Sequence, residues 1–264
     1  VVVDERRNRL LELVRQRGFA SLPELAETLG VSESTVRRDL DFLEETGSAK
    51  RTHGGVFYTG SAPQLPQFEE RQPAQWELKH AIARKAADLI EPGDTLLLDG
   101  GTTTYEVARL LVGKPLQVVT NSLPVANLFA SHAATDLVLL GGFVYPRTGV
   151  TLGPYANDQL AQLNVRKTVL SVAGVNERGF YNSNLLLVET ERAMMHAADQ
   201  VIVVADSTKF GRQSLAHLSP LNAVQTLIVD DELSEELPHW HEIARVAGVE
   251  LLVAPVHESK TTSS

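Results

Sequence analysis

Ser32-Glu33-Ser34-Thr35-Val36-Arg37-Arg38-Asp39-Leu40 reads as the opening turns of a helix with two very different sides. Ser32 is placed to cap it, its side-chain oxygen accepting an otherwise orphan N–H of the first turn. Val36, Leu40 and Leu43 recur at i, i+4 and i+7 and form one apolar stripe. At about 100° per residue, Ser34 and Arg38 point away from that stripe, flanked by Thr35 and Arg37. Small hydroxyls and arginines at the exposed N-terminal end of a helix suit the major groove of DNA, where they reach base edges and phosphates.

The flanking segments fit the same arrangement. Ser21-Leu22-Pro23-Glu24 has the pattern of a capping box and opens a short helix with Leu22, Leu25, Ala26 and Leu29 on one face. Gly30 ends it, and Val31 leads into the Ser32 cap. Upstream, Arg6 to Arg17 carries Leu10, Leu13 and Val14 on one side and stops at Gly18. Three short helices with a tight turn before the third form a helix-turn-helix. The helical pattern alone is equally that of an ordinary three-helix bundle with Arg37 and Arg38 on a solvated face. The segment after the third helix favours the helix-turn-helix. Ser48 to Tyr58 alternates, turns at Gly54-Gly55 and carries Lys50, Arg51 and His53, as expected of a β wing along a phosphate backbone.

The run LAETLGVSESTVRRDLDFLEETGSAKRTHGGV resembles the N-terminal winged helix-turn-helix of the DeoR family of bacterial transcriptional regulators. The resemblance implies DNA contacts from Ser32, Ser34, Thr35, Arg37, Arg38, Lys50, Arg51 and His53.

Composition limits the alternatives. Without cysteine there is no disulfide scaffold, thiolate metal site or cysteine nucleophile. The first residues lack an apolar signal core and no apolar run is long enough to span a bilayer, so a soluble cytoplasmic protein with no membrane partner is expected. The net charge is −9, and residues 1–60 hold 9 Lys and Arg against 10 Asp and Glu. DNA binding must therefore use a local basic face and few phosphate contacts. Two half-sites would compensate, so a homodimer or homotetramer is expected.

Residues 1–58 thus form the DNA-binding domain. Residues 59–75, with Pro63, Pro66 and Pro73, read as a semi-rigid linker, and 257–264 as a disordered polar tail. Between them, residues 76–256 alternate helix and strand. Apolar runs at Leu96–Leu98, Val118–Val119, Leu137–Leu140, Val169–Val172, Val201–Ala205, Leu227–Val229 and Leu251–Val253 mostly alternate with amphipathic stretches such as Trp76–Ile90, Tyr105–Leu111 and Leu237–Ala247. The expectation is an α/β domain with a largely parallel sheet covered on both faces, whose ligand site lies beyond the strand ends.

Several of those ends are polar. Asp99-Gly100-Gly101-Thr102-Thr103-Thr104 joins a strand to a helix and has the makings of an anion cradle, though a tight turn with a threonine cap would look alike. Thr120-Asn121-Ser122, Gly141-Gly142, Ala173-Gly174-Val175-Asn176 and Asp206-Ser207-Thr208-Lys209 follow later strands. Lys209 is either a phosphate-neutralising charge or a solvated lysine. Here too the sequence resembles the DeoR family, in its sensor domain, related in fold to ribose-5-phosphate isomerase and the CoA transferases. That resemblance implies a phosphorylated sugar or related metabolite held by Asp99, Gly101, Thr102, Thr103, Thr104, Asn121, Gly142, Gly174 and Lys209, and repression of a carbohydrate-metabolism operon. Asn176 departs from the Asp often found at its position. The rival reading is a sugar-phosphate isomerase-like enzyme fused to a DNA-binding domain. It is disfavoured because the related isomerases carry their base in an aspartate-rich segment, and Ala173–Asn176 has no carboxylate, although Asp99 and Asp206 remain as possible bases. No hydrolase, metalloprotease or nucleotide-binding motif occurs, and His239-Trp240-His241 lacks ligand spacing, so no catalytic residue, metal site or cofactor is expected.

Overall fold

The computed structural model describes residues 3–17, 19–45, 49–52, 55–58 and 67–256. The chain divides into two units, Val1–Leu65 and Pro66–Ser264.

In the first unit, α1 (Val3–Arg17), α2 (Leu22–Leu29) and α3 (Glu33–Glu45) bury Leu10, Val14, Leu25, Val36, Leu40 and Leu43 together. The stripe read from the sequence is thus the face that packs. Gly30 adopts a left-handed φ of 66°, donates to Glu27 O at 3.2 Å, and is followed by a bond from Val31 N to Ala26 O at 3.0 Å. This paired closure satisfies the last carbonyls of α2 and sets the tight turn into α3. The strands β1 (Phe19–Ser21), β2 (Ala49–Thr52) and β3 (Gly55–Tyr58) form an antiparallel sheet with β3 in the middle. The β2–β3 hairpin is the expected wing. β1, three residues between helices, carries too little pattern to be read from sequence.

In the second unit, α4 (Phe68–Arg71) and α5 (Trp76–Ala87) precede β4 (Thr95–Leu98), α6 (Thr102–Leu111), β5 (Leu116–Thr120), α7 (Leu123–Phe129) and β6 (Thr135–Leu139). A hairpin of β7 (Phe143–Tyr145) and β8 (Val150–Leu152) comes next, then α8 (Pro154–Leu160), β9 (Val165–Ser171), β10 (Gly174–Asn176), β11 (Gly179–Asn182) and α9 (Leu185–His196). The chain continues through β12 (Ala198–Val204), β13 (Ala216–Ser219), β14 (Thr226–Asp230), α10 (Leu237–Ala247) and β15 (Glu250–Ala254). Seven strands make one parallel sheet in the order β15-β14-β12-β9-β4-β5-β6. Its strands serve two cores. Leu96 and Leu98 face one, Leu97 the other, and Ile202 and Val204 alternate with Val201 and Val203 in the same way. That alternation makes each strand read as a continuous apolar run.

Two expectations need correction. The span 59–75 is not linker throughout: Phe68 is buried, α4 is closed by a reciprocal Gln67–Glu70 cap, and Lys79 Nζ reaches Arg71 O at 2.7 Å. Its prolines suggest a linker, but Pro73 lies in the turn between α4 and α5. Pro63 and Pro66, like residues 257–264, lie outside the described residues. Second, Ala173–Asn176 is not a bare strand end, because β10 pairs with β11, which pairs with β13, in a separate antiparallel sheet.

Leu40 is fully buried. Asp39 beside it is also buried, accepting from Arg6 Nε at 2.6 Å and Arg7 Nε at 3.2 Å and so tying α3 to α1. Leu40→Ala should destabilise the N-terminal unit by about 2–5 kcal/mol. Asp39→Ala should also lower its unfolding midpoint, because two guanidinium groups lose their shared acceptor. Arg38→Ala should leave it unchanged. Thermal unfolding checks all three, and an unshifted midpoint in Asp39→Ala would contradict the tie.

Candidate functional site: a recognition helix and a sheet crevice

Ser32 Oγ accepts from Thr35 N at 3.3 Å and lies 2.8 Å from Ser34 Oγ and 2.9 Å from Thr35 Oγ1, so the first turn of α3 is held by a hydroxyl cluster. Arg37 is exposed and 3.6 Å from Glu33. Arg38 is exposed and has no ion pair among the described residues. Its charge is available to a partner. Lys50 and Arg51 lie on β2, while His53 lies outside the described residues.

The order in which the chain adds strands to the large sheet reverses between β4 and β9. The chain runs from β4 outward through β5 to β6, then returns to β9 on the other side of β4 and continues to β15. In open sheets of this kind, ligands bind in the crevice beyond the strand ends at such a reversal of strand order. Asp99 sits at the end of β4, its N–H donating to Val169 O of β9 at 3.1 Å. Gly100 and Gly101 come directly after it. A Cβ on Gly100 would fall 1.9 Å from Val150, and one on Gly101 would fall 1.7 Å from the Ser171 hydroxyl. Packing alone accounts for both glycines.

The start of α6 is different. Its N-cap is Gly101, which has no side chain to bond the Thr102–Thr104 turn. Helix N-terminal N–H groups left uncapped attract anions. Thr102, Thr103 and Thr104 are buried, and Thr104 Oγ1 has no hydrogen-bond partner. Phe68 packs edge-on against Tyr105 with ring centroids 5.4 Å apart, which fixes α4 against the first turns of α6. From there Arg71 acts on Asp99. Burial lowers the Lys79 ammonium to about 8, against the pull of Asp206; Lys209 and Arg71 also bear on it. Lys209 Nζ is 3.8 Å from Asp206 Oδ2. Arg71, Lys79 and Lys209 therefore form one electrostatic group beside the crevice.

The other expected site residues divide. Asn121 closes the far side, donating from Nδ2 to Thr151 O at 3.0 Å, with a buried Oδ1 that has no partner. Gly142 and Gly174 have packing explanations instead: a Cβ would meet Leu152 O at 2.8 Å and Arg212 O at 2.6 Å, respectively. Asn176 Oδ1 accepts from Arg178 N at 2.9 Å and serves its turn. Arg71, Lys79 and Ser171 are further candidates for this site that the sequence alone did not single out. Lys79 had a signal, since it stands three residues before Ile82 on the apolar stripe of α5. Among the described residues no cluster of potential metal ligands occurs, and no helix is long and apolar enough to cross a membrane.

Residues 6–61 match the DeoR-like helix-turn-helix domain, and residues 74–231 match the DeoR C terminal sensor domain. The chain is 33% identical over 254 residues to a putative aga operon transcriptional repressor of Escherichia coli O157:H7, covering 94% of this chain and 93% of that protein. It is 34% identical over 228 residues to the glycerol-3-phosphate regulon repressor of Escherichia coli K12, covering 86% and 90%. Among solved structures, ribose 5-phosphate isomerase A from Neisseria gonorrhoeae aligns with a TM-score of 0.37 and 18% identity, over 52% of this chain and 54% of the enzyme.

Burial pushes the Asp99 carboxyl up to about 6, against the Gly100 and Ser171 donors and the Arg71 charge that favour ionisation. With the folded value above the unfolded one, the stability this group contributes is present at low pH and lost as pH rises through about 6. Asp99→Asn should therefore be more stable than the parent at pH 7.5, by roughly 1–3 kcal/mol. The gap should close near pH 4. Urea unfolding at the two pH values checks this, and a gap that widens toward acid would contradict it.

Proposed function

The chain belongs to the DeoR family of transcriptional regulators, and from that premise we propose that it represses a carbohydrate-metabolism operon and leaves its operator when a phosphorylated sugar or related metabolite fills the sheet crevice. It is a DNA-binding regulator and not an enzyme, as its relatives are. The observation that carries the effector reading is the uncapped α6 N-terminus at the sheet's reversal point, with Arg71, Lys79 and Lys209 grouped beside it. Dipole, N–H groups and cations all favour a phosphate there. The buried polar atoms of Asp99, Thr104 and Asn121 that lack partners favour a polar ligand over an apolar one.

On the DNA side, α3 enters the major groove. Arg38, with the hydroxyls of Ser32, Ser34 and Thr35 and the Arg37 guanidinium, faces base edges and phosphates, while Lys50, Arg51 and His53 of the wing track the backbone. The near-neutral N-terminal unit offers few phosphate contacts, so paired half-sites bound by a homodimer or homotetramer supply the remaining affinity. The working compartment is the cytoplasm, where the operator and phosphorylated metabolites meet.

Arg38→Ala should weaken operator binding by about 1–3 kcal/mol per half-site without disturbing the fold. Lys50→Ala or Arg51→Ala should weaken binding to all sequences and reduce the salt slope by about one. Fluorescence anisotropy with operator DNA measures both, and light scattering of the same complex reads the number of chains. Wild-type affinity in Arg38→Ala, or a single bound chain, would overturn the assignment. The double variant Thr103→Ala, Lys209→Ala should bind operator normally but no longer release it with sugar phosphate. A double variant that still responds like the parent would place the effector elsewhere.

A further inference from the structure

Glu191 occupies a position on α9 where an apolar residue would be expected. It stands four residues after Leu187, three after Val188 and three before Met194, all buried. Its side chain is itself fully buried. One oxygen, Oε1, accepts from Asn182 Nδ2 at 2.6 Å, and the other, Oε2, has no hydrogen-bond partner. Asn182 also donates toward Ser171 O at 3.4 Å, and Ser171 is the end of β9, facing Asp99 across the reversal point. Asp99 Oδ1 likewise has no partner. A short chain of polar groups, Glu191–Asn182–Ser171–Asp99, thus joins two buried carboxyls and ends on an unsatisfied oxygen at each side.

Interior packing does not explain this arrangement. A leucine would continue the stripe of α9, and a buried polar group without a partner is costly to the empty protein. A ligand that supplies the missing partners removes that cost. Burial and the Asp99 charge both push the Glu191 carboxyl well above its ordinary range. Neutral, it can donate as well as accept, while ionised Asp99 only accepts. Sugar hydroxyls, each both donor and acceptor, match such a pair; a phosphate does not, because the ionised Asp99 carboxylate repels it. The phosphate is served by the α6 turn and the cations.

We propose that Glu191 and Asp99 form the polyol-reading end of the effector site, so that the sensor selects a phosphorylated polyhydroxy compound by its hydroxyls and not by its phosphate alone. This rests on the crevice being the effector site, and the test separates the two claims. Calorimetry on the full chain would compare ribose 5-phosphate, fructose 6-phosphate and glycerol 3-phosphate with n-propyl phosphate and inorganic phosphate. At least one polyol phosphate should bind about ten-fold or more tightly than n-propyl phosphate. Glu191→Leu, which continues the apolar stripe of α9 and removes both carboxyl oxygens, should lose most of that preference while keeping inorganic phosphate binding within about two-fold. If Glu191→Leu proves unfolded, the wild-type comparison still decides, since equal binding of polyol and propyl phosphates overturns the proposal. Retained preference in a folded Glu191→Leu overturns it too, as does an equal loss of both ligand types. Failure of the wild-type chain to bind any phosphate defeats the crevice reading itself.

Discussion

The contact between β4 and β9 is the constraint on which the second unit depends. Because the chain returns after β6 to lay β9 on the free side of β4, the ends of β4 and β9 stand side by side, and Asp99, Gly100 and Gly101 pass within contact of Ser171 and Val150. Only glycine leaves room for that. The same close passage starts α6 without a side-chain cap, buries the Asp99 carboxyl, and brings the polar chain from Glu191 to the site. Local backbone crowding and the polar character of the candidate site are therefore consequences of one topological reversal.

The N-terminal unit rests on a similar economy. The buried stripe of α3 and the Asp39 tie to Arg6 and Arg7 fix the helix from below, which leaves Arg38 outward without any internal partner among the described residues. In TVRRDL the valine and leucine build the fold, the aspartate fixes the helix to α1, and the arginines stay exposed, as the proposed DNA contact requires. A chain with net charge −9 can bind a polyanion only by such segregation of its cations.

Much of this was legible in the sequence because it is local. The i, i+4, i+7 stripe of Val36, Leu40 and Leu43, the Gly30 stop, and the seven apolar runs between amphipathic stretches all report nearest-neighbour physics, and each became the element expected. Three-residue strands such as β1, β7 and β10 are too short for a period to show, and pairing creates them: β1 with the distant β3, β7 and β10 with the strands that directly follow them. Arg71 was hidden by proline-rich surroundings, since a four-residue helix capped by Gln67 and packed through Phe68 has no periodicity to detect. Glu191 and Lys79 were detectable in principle as charges on apolar stripes. Gly142 and Gly174 read either way from sequence, because glycine marks close backbone approach to protein as readily as to ligand, and the structure supplies a packing reason for both.

The central claim is that filling the crevice and holding operator DNA are energetically opposed. A closed thermodynamic cycle on the full chain tests it most directly. Operator affinity is measured with and without saturating sugar phosphate, and sugar phosphate affinity with and without saturating operator. The account predicts that each ligand weakens the other, and by the same factor, because coupling between binding sites is reciprocal. A sugar phosphate that saturates the sensor and leaves operator affinity unchanged would contradict it.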